Sequence, residues 1–132
     1  MQVDLHPFMT RTDIVEYCTR HGILLEAWAP LVEAMRFNHP TITKLANIYD
    51  KEPAQILLRY SLQKVCPSEC RSSVVIDTVD GGQGFIPLPK SSRKTRITSN
   101  TQIYDFALQK EDIECLDSLD EGWLRARVFE PR

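Results

Sequence analysis

The chain has 132 residues, a formal net charge of −2 at pH 7, and 42% hydrophobic and 26% charged residues. That length holds at most one domain, and the near balance of charge gives no global pull toward nucleic acid or an anionic membrane surface. The opening Met-Gln-Val-Asp-Leu-His lacks an apolar leader and no later apolar run is long enough to span a bilayer, so a cytoplasmic protein without membrane or nucleic-acid partners is expected.

Gln2 to Leu5 reads as a short strand ended by His6-Pro7. Thr12–Arg20 sets Ile14, Val15, Tyr17 and Cys18 on a helical period, with Gly22 placed to close the helix. Ile23 to Trp28 is a nearly continuous apolar run of strand length, as a strand covered on both faces would be, and Pro30 ends it. Residues 41–50 predict a short helix, and Pro53 suits the first turn of a second one running to Gln63. Phe85 to Leu88 is a third strand, followed by helices over Arg93–Thr101 and Lys110–Leu119. Strand and helix thus alternate three times, which predicts an α/β protein with parallel strands and helices outside them.

Two groups invite a chemical reading. Cys18, Cys66, Cys70 and Cys115 contain no Cys-x-x-Cys, and Cys66 with Cys70 supplies at most half of a zinc set, so reduced thiols and no metal are expected. The segment Gly84–Asn100 runs from a strand through two prolines into Lys90, Ser91, Ser92, Arg93, Lys94 and Arg96 and then into a helix. Cations and hydroxyls at a helix start, where unpaired N–H groups and the macrodipole add positive charge, are what a phosphate site needs. Composition alone equally allows a solvated turn with incidental lysines.

Three pieces resemble, in order and at similar spacing, the aldo-keto reductases: Gln2-Val-Asp-Leu-His-Pro-Phe8, Leu24-Leu-Glu-Ala-Trp-Ala-Pro-Leu31, and Ile86-Pro-Leu-Pro-Lys-Ser-Ser92 with Arg96-Ile97 and Asn100. Glu52–Gln63, Tyr104–Phe106 and Glu111–Ile113 also look like that family, and the likeness leaves out residues 65–83 and the last dozen or so. The resemblance implies NADPH-dependent reduction of aldehydes or ketones to alcohols without metal. It implies a partial (β/α)8 TIM barrel, this chain supplying the last three of eight βα units.

Site residues follow from the same resemblance. Gln2 matches the amide that bonds the nicotinamide carboxamide, and Trp28 the aromatic that stacks on the nicotinamide; without the likeness Trp28 reads as a core tryptophan. Ala29, Pro30 and Leu31 match the run lining the pyrophosphate, although Ala29 and Val32 stand where the family often has Ser and Gly. Lys90, Ser91 and Arg96, with Ser92 beside them, match the grip on the adenosine 2′-phosphate that favours NADP(H), and Asn100 falls near the adenine. The family's catalytic Asp, Tyr, Lys and His lie on its first four units and have no counterpart here. No catalytic residue is therefore assigned, His6 is read as structural, His21 and His39 as incidental, and the chain alone is expected to be inactive.

A carbonyl substrate is expected only if an N-terminal half completes the barrel. Met1 where the family usually has Asn, and the unfamiliar tail Gly122–Arg132, fit a fragment of a longer reductase. Residues 65–83 interrupt a segment the family runs without a break and read as an insertion in a helix-to-strand loop or as a translated intron. Three strands alone would leave two bare edges and an apolar inner face. Hence the rival reading: a non-catalytic half-barrel that self-associates, or pairs with an N-terminal half, through its strand edges.

Overall fold

The computed structural model of the chain describes residues 1–64 and 84–122. Strands β1 (Gln2–Asp4), β2 (Glu26–Trp28) and β3 (Ile86–Pro87) form a parallel sheet in the order β1-β2-β3. Helix α1 (Thr12–Arg20) joins β1 to β2; α2 (Pro40–Tyr49) and α3 (Pro53–Gln63) lie between β2 and β3; α4 (Lys94–Thr101) and α5 (Lys110–Asp117) follow. The insertion at 65–83, the Cys66–Cys70 pair and the tail beyond residue 122 lie outside the described residues.

The helix ends follow local chemistry. Gly22, at φ 64, ends α1 with bonds from Gly22 N to Thr19 O and from Ile23 N to Cys18 O, the paired closure that a left-handed residue permits. His39, expected to be incidental, caps α2 by accepting from the Thr41 N–H on its Nδ1, and Pro40 opens the helix. Glu52 and Gln55 form a reciprocal capping box at the start of α3, with Pro53 in its first turn.

The expectation of a long β2 covered on both faces is corrected. Its ladder starts only at Glu26, because Ile23 and Leu24 are spent on leaving α1 and are 40% and 42% exposed. Register pairs Gln2 with Glu26 and Glu26 with Ile86, so these residues share one face, joined by Asp4 and Trp28. Among the described residues no helix packs on that face, and it carries an amide and two carboxylates, so the expected apolar inner face is corrected as well. The other face is dry: Leu5, Leu25, Ala27 and Phe85 pack with Val15 and Cys18 of α1.

A larger cluster of Phe8, Val32, Ile42, Leu45, Ile56, Leu57, Tyr60, Leu108 and Leu116 fills the space among α2, α3 and α5. Every residue of α3 from Ala54 to Ser61 is buried. Three of its polar members reach backbone carbonyls: Gln55 those of Ser99 and Gln102, Arg59 that of Ile103, and Gln63 that of Leu108. Spaced by four, they form a stripe that fastens the chain after α4 to α3.

The entry to β3 is tight. A Cβ on Gly84 would sit 1.8 Å from the Leu62 carbonyl oxygen. Gly84→Ala is therefore expected to destabilise the chain by about 2–4 kcal/mol through forced backbone displacement. A thermal melt checks it; an unchanged midpoint would show that the close approach relaxes freely.

Candidate functional site

All the expected residues except Ala29 line one of two hollows. The larger, about 580 Å³, is lined on one wall by Lys90, Ser91, Ser92, Arg96 and Asn100. These come from the turn after β3 and from α4. Leu31, Ala34 and Phe37, in the connection after β2, form an apolar wall with Pro53 and Ala54 of α3, and Glu33 and Glu52 add carboxylates. The smaller hollow, about 370 Å³, holds Gln2 and Trp28 with Val3, Asp4 and Arg11. Trp28 is 53% exposed, which removes its reading as a core tryptophan. Ala29 lines neither hollow; it stands on the short link between Trp28 and Leu31, in the left-handed region at φ 47.

The cationic wall is held open rather than neutralised. Elsewhere the cations find partners: Arg36 with Glu121, Lys51 with Asp105, and Lys64 with Asp117. Among the described residues, Lys90, Arg93, Lys94 and Arg96 make no ion pair. Ser91 Oγ accepts from the Arg93 N–H at 3.3 Å and so shapes the turn that leads into α4. Glu52, one of the two carboxylates at the larger hollow, is already engaged by the Ser99 hydroxyl at 2.9 Å and by its capping box. Unpaired guanidinium, ammonium and hydroxyl donors beside an apolar slot can hold a phosphate joined to a flat ring.

The connection after β2 is conformationally costly. Val32, Glu33 and Ala34 all have positive φ, at 49, 49 and 65 degrees. Branched Val32 is a poor residue for that region, and it is kept there by burial against the α2–α3 cluster.

His6 lies outside both hollows. It is 6% exposed, its Nδ1 has no partner, and burial drives its pKa from 6.5 to about 4; the Asp4 and Asp120 charges oppose that shift, and those of Arg36 and Arg11 assist it. It is a neutral core residue in the turn closed by His6–Met9 backbone bonds. Among the described residues no group of three or more His, Cys, Asp or Glu is placed to hold a metal, and no helix is long and apolar enough to cross a membrane.

Glu33, Phe37, Glu52, Pro53, Ala54 and Arg11 were not anticipated at either hollow. The Glu52-Pro53 helix start was readable, but not that this start abuts a turn nearly forty residues later. Arg11 gave no signal beyond standing before a helix.

The sequence model described as "Aldo/keto reductase family" matches residues 1–121. The chain belongs to the aldo/keto reductase family. An uncharacterized oxidoreductase of Schizosaccharomyces pombe is 39% identical over 92% of this chain, and glyoxal reductase of Bacillus subtilis 32% identical over 91%. This aldo/keto reductase chain spans only 38% and 37% of those two proteins. Among solved structures, an aldo-keto reductase of Bombyx mori in complex with NADP is 31% identical with a TM-score of 0.70, over 91% of this chain and 36% of that one. The aldose reductase of Schistosoma japonicum is 30% identical at a TM-score of 0.71, over 92% of this chain and 34% of that one. The small parallel sheet with helices on one side is in keeping with part of the barrel of these enzymes.

Proposed function

We propose that this chain is the C-terminal, dinucleotide-holding portion of an NADPH-dependent aldo-keto reductase acting on aldehydes or ketones. One observation carries the reading: Lys90, Ser91, Ser92, Arg96 and Asn100 line a single cavity with Leu31, and the cations there are unpaired among the described residues. Lys90 and Arg96 would hold the 2′-phosphate with the two serines, Asn100 and the apolar wall the adenine, Ala29 and Leu31 the pyrophosphate, and Gln2 and Trp28 the nicotinamide. The bound cofactor supplies a hydride; these residues supply binding and orientation, and no catalytic role is assigned to any of them. A small carbonyl substrate would be handled only with the N-terminal units that longer relatives possess.

Residues 65–83 are read as an insertion between α3 and β3. The Phe85 N–H donates to the Ser61 carbonyl at 2.8 Å, so the ends flanking the segment lie close together, as an inserted loop requires. Titrating the 132-residue chain with NADPH and with NADH, followed by nucleotide fluorescence, tests the function. Saturable NADPH binding at least about 10-fold tighter than NADH is expected from one added charge-assisted phosphate contact. Equal or absent binding would overturn it.

The second reading, a half-barrel joined to a second copy or an N-terminal half, is favoured by the outer edges of β1 and β3, which pair with no strand among the described residues. A mass that stays monomeric across concentrations in sedimentation, and unchanged on adding a related N-terminal half, would remove it.

A further inference from the structure

Arg96 and Asn100 reach the large cavity from α4, yet α4 buries none of its own side chains. Its position has to be imposed from outside. The last turn is held by α3, through Gln55, which is only 5% exposed. The Gln55 side-chain amide donates to the carbonyls of Ser99 and Gln102, each at 3.0 Å, and its Oε1 accepts from the Glu52 N–H at 2.8 Å. Both donors and the acceptor of one buried amide are therefore spent on joining the start of α3 to the end of α4. The Ser99 hydroxyl adds a bond to Glu52 at 2.9 Å across the same junction.

We infer that Gln55 is a positioning residue for the cationic wall, setting where α4 carries Arg96 and Asn100 and so the preference for a 2′-phosphorylated nucleotide. The inference rests on the dinucleotide reading above. Its physics is that a helix moves as a body. A shift of the backbone at Ser99 is passed up the hydrogen-bond ladder to Arg96, less than one turn away. A charge-assisted bond from a guanidinium to a phosphate oxygen depends on donor distance and angle, so a displaced α4 weakens that contact selectively. Asn100 also rides on α4, but its neutral contact to an adenine is weaker than a charge-assisted one, so the smaller loss falls on the adenine. Contacts of Leu31 and Phe37, which lie outside α4, are left unchanged. Arg59 and Gln63 continue the stripe along α3, but they fasten Ile103 and Leu108, beyond the helix that reaches the cavity.

The test uses the 132-residue chain and two probes, 2′,5′-ADP and 5′-AMP, which differ by the 2′-phosphate. Gln55→Met keeps length and near volume but removes both donors and the acceptor, leaving the Ser99 and Gln102 carbonyls and the Glu52 N–H without that partner. Its expected result is about 10-fold weaker binding of 2′,5′-ADP with 5′-AMP unchanged within about twofold, the size of one lost net hydrogen bond. Gln63→Met, cut from the same stripe, is expected to lower the melting temperature without altering the ratio of the two affinities. An unchanged ratio in Gln55→Met, with helical circular dichroism retained, overturns the inference. Should Gln55→Met fail to fold, Gln55→Asn, which stays polar but draws the amide one methylene back from the Ser99 and Gln102 carbonyls, takes its place. A drop in the ratio of about threefold there supports the inference, and no drop overturns it. Wild-type chain that does not prefer 2′,5′-ADP would instead sink the dinucleotide reading, a result distinct from a preference that survives loss of Gln55.

Discussion

Lys90→Ala combined with Arg96→Ala is expected to weaken NADPH binding about 100-fold or more while moving NADH binding by less than about threefold. Hydrogen bonds to a charged group contribute roughly 1.5–3 kcal/mol each, and about 1.4 kcal/mol is a factor of ten. Both side chains line the large cavity, and neither is paired with a carboxylate among the described residues. Their removal breaks no ion pair described in the fold, and both are exposed, so stability is expected to hold. Isothermal titration of wild-type and double-variant chain with each nucleotide reads the result. Equal losses for NADPH and NADH would place the cations on the pyrophosphate instead of the 2′-phosphate. No loss for either would end the assignment.

Acid is expected to unfold the chain through His6. Its pKa is about 4 in the folded chain against 6.5 as the ordinary value, so between these values the unfolded chain binds more protons. Stability from the neutral imidazole is thus fully present above pH 6.5 and is lost as pH falls toward 4. Lowering pH from 7.5 to 4.5 removes about 2–3 kcal/mol by this route, one pKa unit being roughly 1.4 kcal/mol. Asp120 acts lower down. Burial raises its pKa, but the Thr10 hydroxyl and the amide groups of Gly122 and Thr10 outweigh burial and hold it below the usual 3.8. Its support is present above pH 3.8 and disappears below that value, so the two groups separate on the pH axis. Urea titrations at pH 7.5 and 4.5 make the comparison. His6→Asn should flatten the dependence across that window, and a wild-type slope retained in the variant would assign the acid loss to another group.

The sequence made the order of elements legible because period and punctuation agree. Gly22 after a helical run, Pro53 at a helix start, and prolines after strands all act locally, and local signals survive folding. It overstated β2, since the apolar Ile23 and Leu24 looked like strand core but serve the exit from α1. It missed the polar open face because alternation is hard to see in strands of two or three residues. The large cavity's cationic wall was legible, as Lys90 to Asn100 lie within one contiguous motif. Of the apolar wall, only Leu31 was. Pro53 and Ala54 join it only through the packing of α3 on α4, and that packing depends on the Gln55 amide, which at a buried helical position carries no sequence signal of its own.

The uncovered sheet face sets a rule for how two such chains could meet. Asp4 and Glu26 stand out from neighbouring strands on that face. Laying one sheet flat on another would trap like charges in a gap emptied of water, an arrangement that electrostatics penalises steeply. Any pairing of two such chains would therefore run sideways, along the rims of the ribbon, where backbone groups meet and the carboxylates stay wet.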